Sequence, residues 1–536
     1  MPVRSPKPAA RLARSTQALT ALFAATLIVT TGCDQTPSKS PSGKKGFSTA
    51  ANRIRQNDEN LTYAVRLLRD VDAATTPDSL TPIVSRLNLW GQQVTPKEDW
   101  KPDQLLLTLP EELRKAKALQ GLAGLDFPQS DGRELVQVIW LNEIARRASG
   151  ASSESLAKAQ SLFDWVVRNI QIEPDGEGRL QNGSTEILLF GRGSAADRAW
   201  IFSLLARQQG LDVVLLAFPG KTASDQPQLW LPALLDKGEL YLFDTRLGLP
   251  IAGPEGQPVA TLSQVMADDK LLRAMDADDE HPYPVKSEDL KDLVVFVEGS
   301  PLYLSHRMQL AEEKLGGNES LVLSAHPQRI AEQLAGKPGV GAVRLWPLPY
   351  ERLKTFENPT REYAERMVRE MGPFQQTPQL WQGRVLDLLG RYESPNSASA
   401  MYQDARPSDA TLSQQRGVAE KQAQPQQRAM ATFGVDMRAI AKQDASYWLG
   451  LLAFDRGNYP AAIDYLNTRV LEAAPDGPWT FGARYNLGRA YEAQGQTDAA
   501  IRAYQSDYSP QRSGNLLRAK RLRESQAKQN APAAKE

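Results

Sequence analysis

The sequence predicts an α+β protein of several domains, with helices dominating both ends. Three observations lead there. Apolar residues recur at three- and four-residue spacings through residues 49–150. Between 151 and 285 the pattern turns to helices followed by β-branched and aromatic runs. Near the carboxyl end, two helical segments repeat each other's residue types. A chain of 536 residues holds about three domains at roughly 150 residues each. A hydrophobic content of 41% supplies enough apolar surface for packed cores.

The first element is a leader. Arg4, Lys7, Arg11 and Arg14 are the only charged residues among the first 32, and the run Leu19 to Val29 is mostly apolar. A basic start, a short apolar stretch and a small residue before the break are the parts of a secretory signal. The run is shorter than the ~20 residues that cross a bilayer comfortably. Cys33 is the only cysteine, so neither an intrachain disulfide nor a cysteine metal site can form. Thr30-Thr31-Gly32-Cys33 resembles the bacterial lipobox, with Thr30 where Leu is commonest. That resemblance implies cleavage after residue 32, a diacylglycerol on the Cys33 thiol, and a membrane-anchored lipoprotein on the periplasmic or other extracytoplasmic side. Residues 33–48, rich in Ser, Pro, Lys and Gly, read as a flexible tether. Without the leader, 59 basic residues face 63 acidic ones. No basic excess points to a nucleic-acid partner.

Residues 49–150 form a helical region. Asn60 to Arg69 and Glu134 to Ile144 carry apolar faces suited to packing, with no chemistry evident. The next region, 151–285, opens with a helix from Leu156 to Ile170 that carries Trp165. An extended Ile170-Gln171-Ile172 follows, then a helix from Ala195 to Gln209 and strands at Val213–Ala217 and Leu240–Phe243.

Gly193-Ser194-Ala195-Ala196-Asp197-Arg198-Ala199 resembles the transglutaminase-like core, in which a glycine turn sets a cysteine at a helix start. Gln228-Leu229-Trp230 stands where that family has a His-Ala-Trp element, and Asp244-Thr245 where it has the orienting aspartate. The resemblance implies an inactive relative: Ala195 replaces the nucleophile, Gln228 replaces the base, and only Asp244 survives. Loss of a triad nucleophile costs on the order of 10⁶-fold in turnover. Ser194 reads as a helix cap, and Trp230 as a core residue or a wall of a retained groove that binds a peptide side chain. The three histidines, His281, His306 and His326, read as surface or loop residues, and Asp278-Asp279-Glu280 as solvated loop charge. Neither metal nor cofactor is expected. The runner-up is a hydrolase or acyltransferase with an unrecognised site.

Residues 286–358 read as a small β-α-β-α-β unit, with strands at Val294–Val297, Leu321–Ser324 and Val343–Trp346. Its helices are Ser305–Leu315 and Arg329–Leu334. No glycine-rich phosphate loop opens either helix.

From 359 to 520 the chain reads as helical, interrupted by a Ser-, Gln- and Pro-rich mobile linker at 394–427. Leu449, Gly450, Ala453, Gly457, Ala462 and Leu466 align with Leu487, Gly488, Tyr491, Gly495, Ala500 and Tyr504. This pattern resembles the tetratricopeptide repeat, whose small residues let two antiparallel helices approach closely. A third, weaker unit spans Gln379 to Arg406. The resemblance implies binding of an unidentified protein or peptide partner. Residues 521–536 read as a charged tail.

Overall fold

The computed structural model describes residues 50–70, 77–174, 176, 180–222, 225–393, 395–422 and 424–530. The expected signal sequence, Cys33 and the tether through residue 48 lie outside the described residues.

Helices α1 (Ala50–Leu68) and α2 (Pro77–Gly91) pack on each other and on α3 (Gln129–Ala148). Leu61, Val65, Leu87 and Trp90 share one core with Val138, Ile139 and Leu141. The anticipated apolar faces are the packing faces. Gly132 lets α3 come close to α2, since a Cβ there would lie 2.9 Å from Val84 Cγ2.

Next come α4 (Ser155–Asn169), β1 (Gln171–Ile172), α5 (Ser184–Phe190), β2 (Arg192–Gly193) and α6 (Ala195–Arg207). Strands β1 and β2 pair in parallel. Helix α6 begins where it does because Ser194 and Asp197 cap each other. Ser194 Oγ accepts the Asp197 N–H at 3.0 Å, and the Asp197 carboxylate accepts the Ser194 N–H at 2.8 Å.

A six-stranded sheet follows: β3 (Asp212–Phe218), β4 (Gln228–Asp236), β5 (Glu239–Asp244), β6 (Leu249–Pro250), β7 (Leu293–Val297) and β8 (Val340–Leu345). Its order is β6-β5-β4-β3-β7-β8, antiparallel except for the β7–β8 pair. Alternation sorts the side chains onto its two faces. Val213, Leu215 and Ala217 of β3, with Val294 and Phe296 of β7, join the core of α3, α4 and α6. Val214, Leu216, Val295 and Val297 join a second core on the opposite face. Central strand β4 was not foreseen, because Leu231-Pro232-Ala233 is a weak strand signal. Pro232 has no N–H to give, and it sits beside the bulge at Leu216/Ala217.

The expected separate β-α-β-α-β unit is corrected. Strands β7 and β8 extend the sheet begun by β3, with α7 (His306–Lys314) and α8 (Pro327–Leu334) between them in the chain. Residues Leu321–Ser324 form no strand. The N–H groups of Leu323 and Ser324 donate to Glu312 Oε2 at 2.7 and 2.6 Å, so no neighbouring strand is needed to satisfy them.

The remainder is helical: α9 (Arg361–Gln376), α10 (Pro378–Leu388), α11 (Ala398–Asp404), α12 (Asp409–Gln422), α13 (Pro425–Asp455), α14 (Tyr459–Ile463), α15 (Thr480–Ala493), α16 (Thr497–Gln505) and α17 (Arg512–Asn530). After α14 the helix runs on as a π-helix, Asp464–Glu472. The expected mobile linker at 394–427 is therefore corrected, since α11, α12 and the start of α13 occupy most of it. Its polar residues are start signals. Ser397 Oγ accepts the Ala400 N–H at 3.3 Å, Ser408 Oγ accepts the Thr411 N–H at 3.1 Å, and Pro425 opens α13. For the charged tail expected from 521, a frayed helix or a disordered segment, the helical alternative holds through residue 530. Helix α17 continues to Asn530, and Leu522 packs on the core.

Three helix pairs share one packing rule. Gly383, Gly450 and Gly488 face Tyr402, Leu466 and Tyr504 of the returning helix. A Cβ would come within 2.7, 2.9 and 2.5 Å of them respectively. Gly390, Gly457 and Gly495 close the first helix of each pair, all at φ +71°, a left-handed turn that glycine adopts freely. The aligned residues Leu449, Ala462, Leu487 and Ala500 are buried. Tyr491 is partly buried against the same packing. The unit at Gln379–Arg406 is thus a helix pair like the other two.

Candidate functional site

The three positions expected to form a degenerate triad fall in different surroundings. Ala195 is the first residue of α6, behind the Ser194 cap. Asp197 is almost wholly buried, and Arg352 binds its other carboxylate oxygen at 3.3 Å. Asp244 ends β5 and is buried. Its Oδ1 accepts the Arg246 and Leu247 N–H groups at 2.9 and 2.8 Å, and its Oδ2 accepts the Tyr283 hydroxyl at 2.8 Å. That hydroxyl in turn accepts the Trp230 Nε1–H at 2.9 Å. Gln228 begins β4 in register with Phe218 and is exposed. Among the described residues no hydrogen bond joins Gln228 to Asp244.

Asp244 therefore holds a turn and a tyrosine rather than an imidazole. Burial pushes its carboxyl above the ordinary range, against the pull of Leu247, Tyr283 and Arg246. Trp230 is partly buried against the second core, 5.6 Å from Phe218 and with its N–H satisfied. Tyr283→Phe leaves a buried carboxylate oxygen short of a donor and the Trp230 N–H short of an acceptor. A loss of about 1–2 kcal/mol in unfolding free energy is expected, read from urea titration.

The start of α6 and the end of β5 are joined by Arg198. Its guanidinium is 1% exposed and donates to four acceptors: Ile170 O at 2.8 Å, Val167 O at 3.2 Å, Thr245 O at 3.1 Å and Gln511 Oε1 at 2.7 Å. The last comes from the segment between α16 and α17. A small recess lies beside Arg198, walled by Gln171 and Ile172 on one side and Phe481, Tyr485, Ser509 and Gln511 on the other.

The array and the α+β core meet along a wide polar seam. The Gln171 side chain donates to Pro478 O at 2.8 Å and accepts the Gly482 N–H at 2.7 Å. Asn486 donates to Arg168 O at 3.0 Å. Asp164 of α4 pairs with Arg168 and with Arg489 of α15, and Arg168 also binds Asp455 at the end of α13. Arg384 of α10 gives two hydrogen bonds to the last carbonyls of α5, Leu188 O at 2.6 Å and Leu189 O at 3.1 Å. Arg147 of α3 does the same for Leu388 O and Asp387 O of α10. The side of the array formed by α10 and α15 is in this way occupied by the chain's own core.

The histidines lie apart from this seam. His306 stacks on Trp100 at 4.9 Å and accepts the Lys97 N–H, and burial lowers its pKa. It is buried, against the expectation of a surface residue. His281 pairs with Asp278, and His326 lies near Ser324. Among the described residues no group of three His, Cys, Asp or Glu is placed to hold a metal ion.

A family model described as tetratricopeptide repeat matches residues 443–506, from within α13 to the end of α16. The two helix pairs within that stretch are therefore tetratricopeptide-like repeats. Neither the curated proteins nor the solved structures compared with the chain match it. Among the described residues no helix is long and apolar enough to cross a membrane.

Proposed function

We propose that this chain is a non-catalytic lipoprotein of the cell envelope, anchored through Cys33, that binds or scaffolds another protein. The observation that carries the binding part is the tetratricopeptide-like match at 443–506, together with three helix pairs built on one packing rule. Repeats of this kind commonly present surfaces to proteins or peptides. The α+β core is read as a transglutaminase-like domain without nucleophile or base, and its part is to carry the array. Because α10 and α15 face that core, the partner takes a surface of the array that the core leaves open. Val418 of α12 and Met430 of α13 are exposed at 45% and 55%.

The anchor is tested apart from the binding. Cys33→Ser is expected to move the protein from the membrane fraction to the soluble one and to abolish incorporation of labelled fatty acid. Unchanged membrane association with no label on the wild type sinks the anchor. For binding, Val418→Glu with Met430→Glu should remove co-purified partners from solubilised membranes while the melting temperature holds. Deleting residues 430–520 is the poorer test, since it uncovers the core. For catalysis, a Cys33→Ser protein assayed for amidase and crosslinking activity should show none. Turnover that disappears with Asp244→Ala, in protein still folded by circular dichroism, overturns the non-catalytic reading.

A further inference from the structure

The recess beside Arg198 is walled by residues with hydrogen-bond donors to spare. A guanidinium has five N–H bonds, and four of those on Arg198 meet Ile170 O, Val167 O, Thr245 O and Gln511 Oε1. The fifth has no acceptor among the described residues. Gln171 Nε2 gives one hydrogen to Pro478 O, and Gln511 Nε2 gives one to Asn515 Oδ1 at 3.2 Å. The second hydrogen of each amide has no acceptor among the described residues. The Tyr485 hydroxyl accepts Arg489 Nη1 at 3.0 Å, and its own hydrogen is likewise unclaimed. The acceptors of the same wall are engaged. Gln171 Oε1 takes the Gly482 N–H, Gln511 Oε1 takes Arg198, and Ser509 Oγ takes the Gln511 N–H at 3.1 Å.

Charge points the same way. Arg198 is 1% exposed, and all four of its acceptors are neutral oxygens. Along the chain of bonds that leaves it, the first carboxylate is Asp507, two amides away through Gln511 and Asn515. A buried cation without a counter-charge keeps most of its desolvation cost. Size narrows the ligand further. The recess has room for about one body as small as a water molecule, which leaves out sulfate, phosphate and acetate.

We propose that this recess is a binding site for one monovalent anion of chloride size, balancing the Arg198 charge among the spare donors of Gln171, Gln511 and Tyr485. Water there would take up the unused N–H bonds but leave the cation unanswered. Burial pushes the Arg198 guanidinium down to about 10, so it still carries its charge at neutral pH. The walls come from both parts of the molecule. Gln171, Ile172 and Arg198 belong to the α+β core, and Phe481, Tyr485 and Gln511 to the carboxyl-terminal helices. An anion held between them stabilises the two parts against each other. The inference goes beyond the proposed function and holds whatever the array binds.

The test is thermal unfolding of the full-length protein at fixed ionic strength, with sodium gluconate replaced stepwise by chloride or bromide. The wild type is expected to gain about 3 °C at a hundredfold excess over the dissociation constant, and the gain saturates. Acetate should give no saturable gain. Gln511→Glu sets a carboxylate against Arg198 in place of the amide oxygen, so the halide gain should vanish. Anomalous scattering from bromide-soaked crystals should show a peak beside Arg198 in the wild type and none there in Gln511→Glu. A wild type indifferent to halide, with water alone in the recess, overturns the site. So does an equal halide gain in Gln511→Glu, or bromide bound only elsewhere.

Discussion

Replacing Arg198 with alanine is expected to cost about 4 kcal/mol of folding free energy and roughly 4 °C in melting temperature. Three terms set that figure. Four oxygens, the carbonyls of Ile170, Val167 and Thr245 and the side-chain oxygen of Gln511, lose a charged donor. At about 1 kcal/mol each or more, that amounts to some 4 kcal/mol. Truncating a fully buried long side chain leaves a cavity worth about 2–3 kcal/mol. Against these stands the relief of removing a buried cation. Among the described residues no carboxylate counters Arg198, and burial pushes its guanidinium down to about 10, a desolvation cost near 3 kcal/mol. The hydrogen bonds and the cavity win. Arg198→Lys keeps the charge but offers three donors to four acceptors, so its loss should be intermediate. Urea unfolding followed by circular dichroism and tryptophan fluorescence gives the ordering. A loss under 1 kcal/mol for the alanine variant is incompatible with Arg198 joining α4, α6, β5 and the array.

The elements legible in the sequence are those whose apolar pattern is local. The faces of α3, α4 and α6, the β-branched runs of β3 and β7, and the Ser194 cap each follow from a few neighbouring residues. The two glycine-punctuated repeats are equally local, because Gly450 and Gly488 act within a single helix pair. What depends on distant partners was hidden. That β7 lies beside β3 rather than in its own small sheet is a pairing across about 80 residues. Arg198 looks like any charged residue on a helix until its acceptors, up to 313 residues away, come into view. Ser397, Ser408 and Pro425 carried a readable signal that was taken for loop composition, although each marks a helix start. That Asp244 holds Tyr283, and that Gln511 meets Arg198 of α6, could not be read from the sequence.

Gly514→Ala is expected to lift α17 from the core and cost at least about 3 kcal/mol. A methyl group there would overlap the backbone oxygen of Leu247, the tightest approach at any glycine of the described residues. The turn it meets cannot retreat. Asp244 Oδ1 holds the N–H groups of Arg246 and Leu247, and Asp244 O accepts the Gly248 N–H at 2.8 Å. The helix must move instead, and it carries much with it. Leu517 and Ala519 are buried in the cores on the two faces of the sheet. Asn515 donates to Asp507 at 2.8 Å, and Lys520 donates to Asp276 O at 3.1 Å. The steric argument has a built-in control at Gly417. That residue lies inside α12 with nothing near its Cβ position. There alanine only restores helix propensity and should stabilise by about 1 kcal/mol. Opposite signs for the two substitutions, with lost exchange protection in Gly514→Ala spanning both α17 and the Asp244–Gly248 turn, are the expected pattern. Equal small effects, or loss confined to the end of α17, remove the last helix from its assigned part in closing the array onto the core.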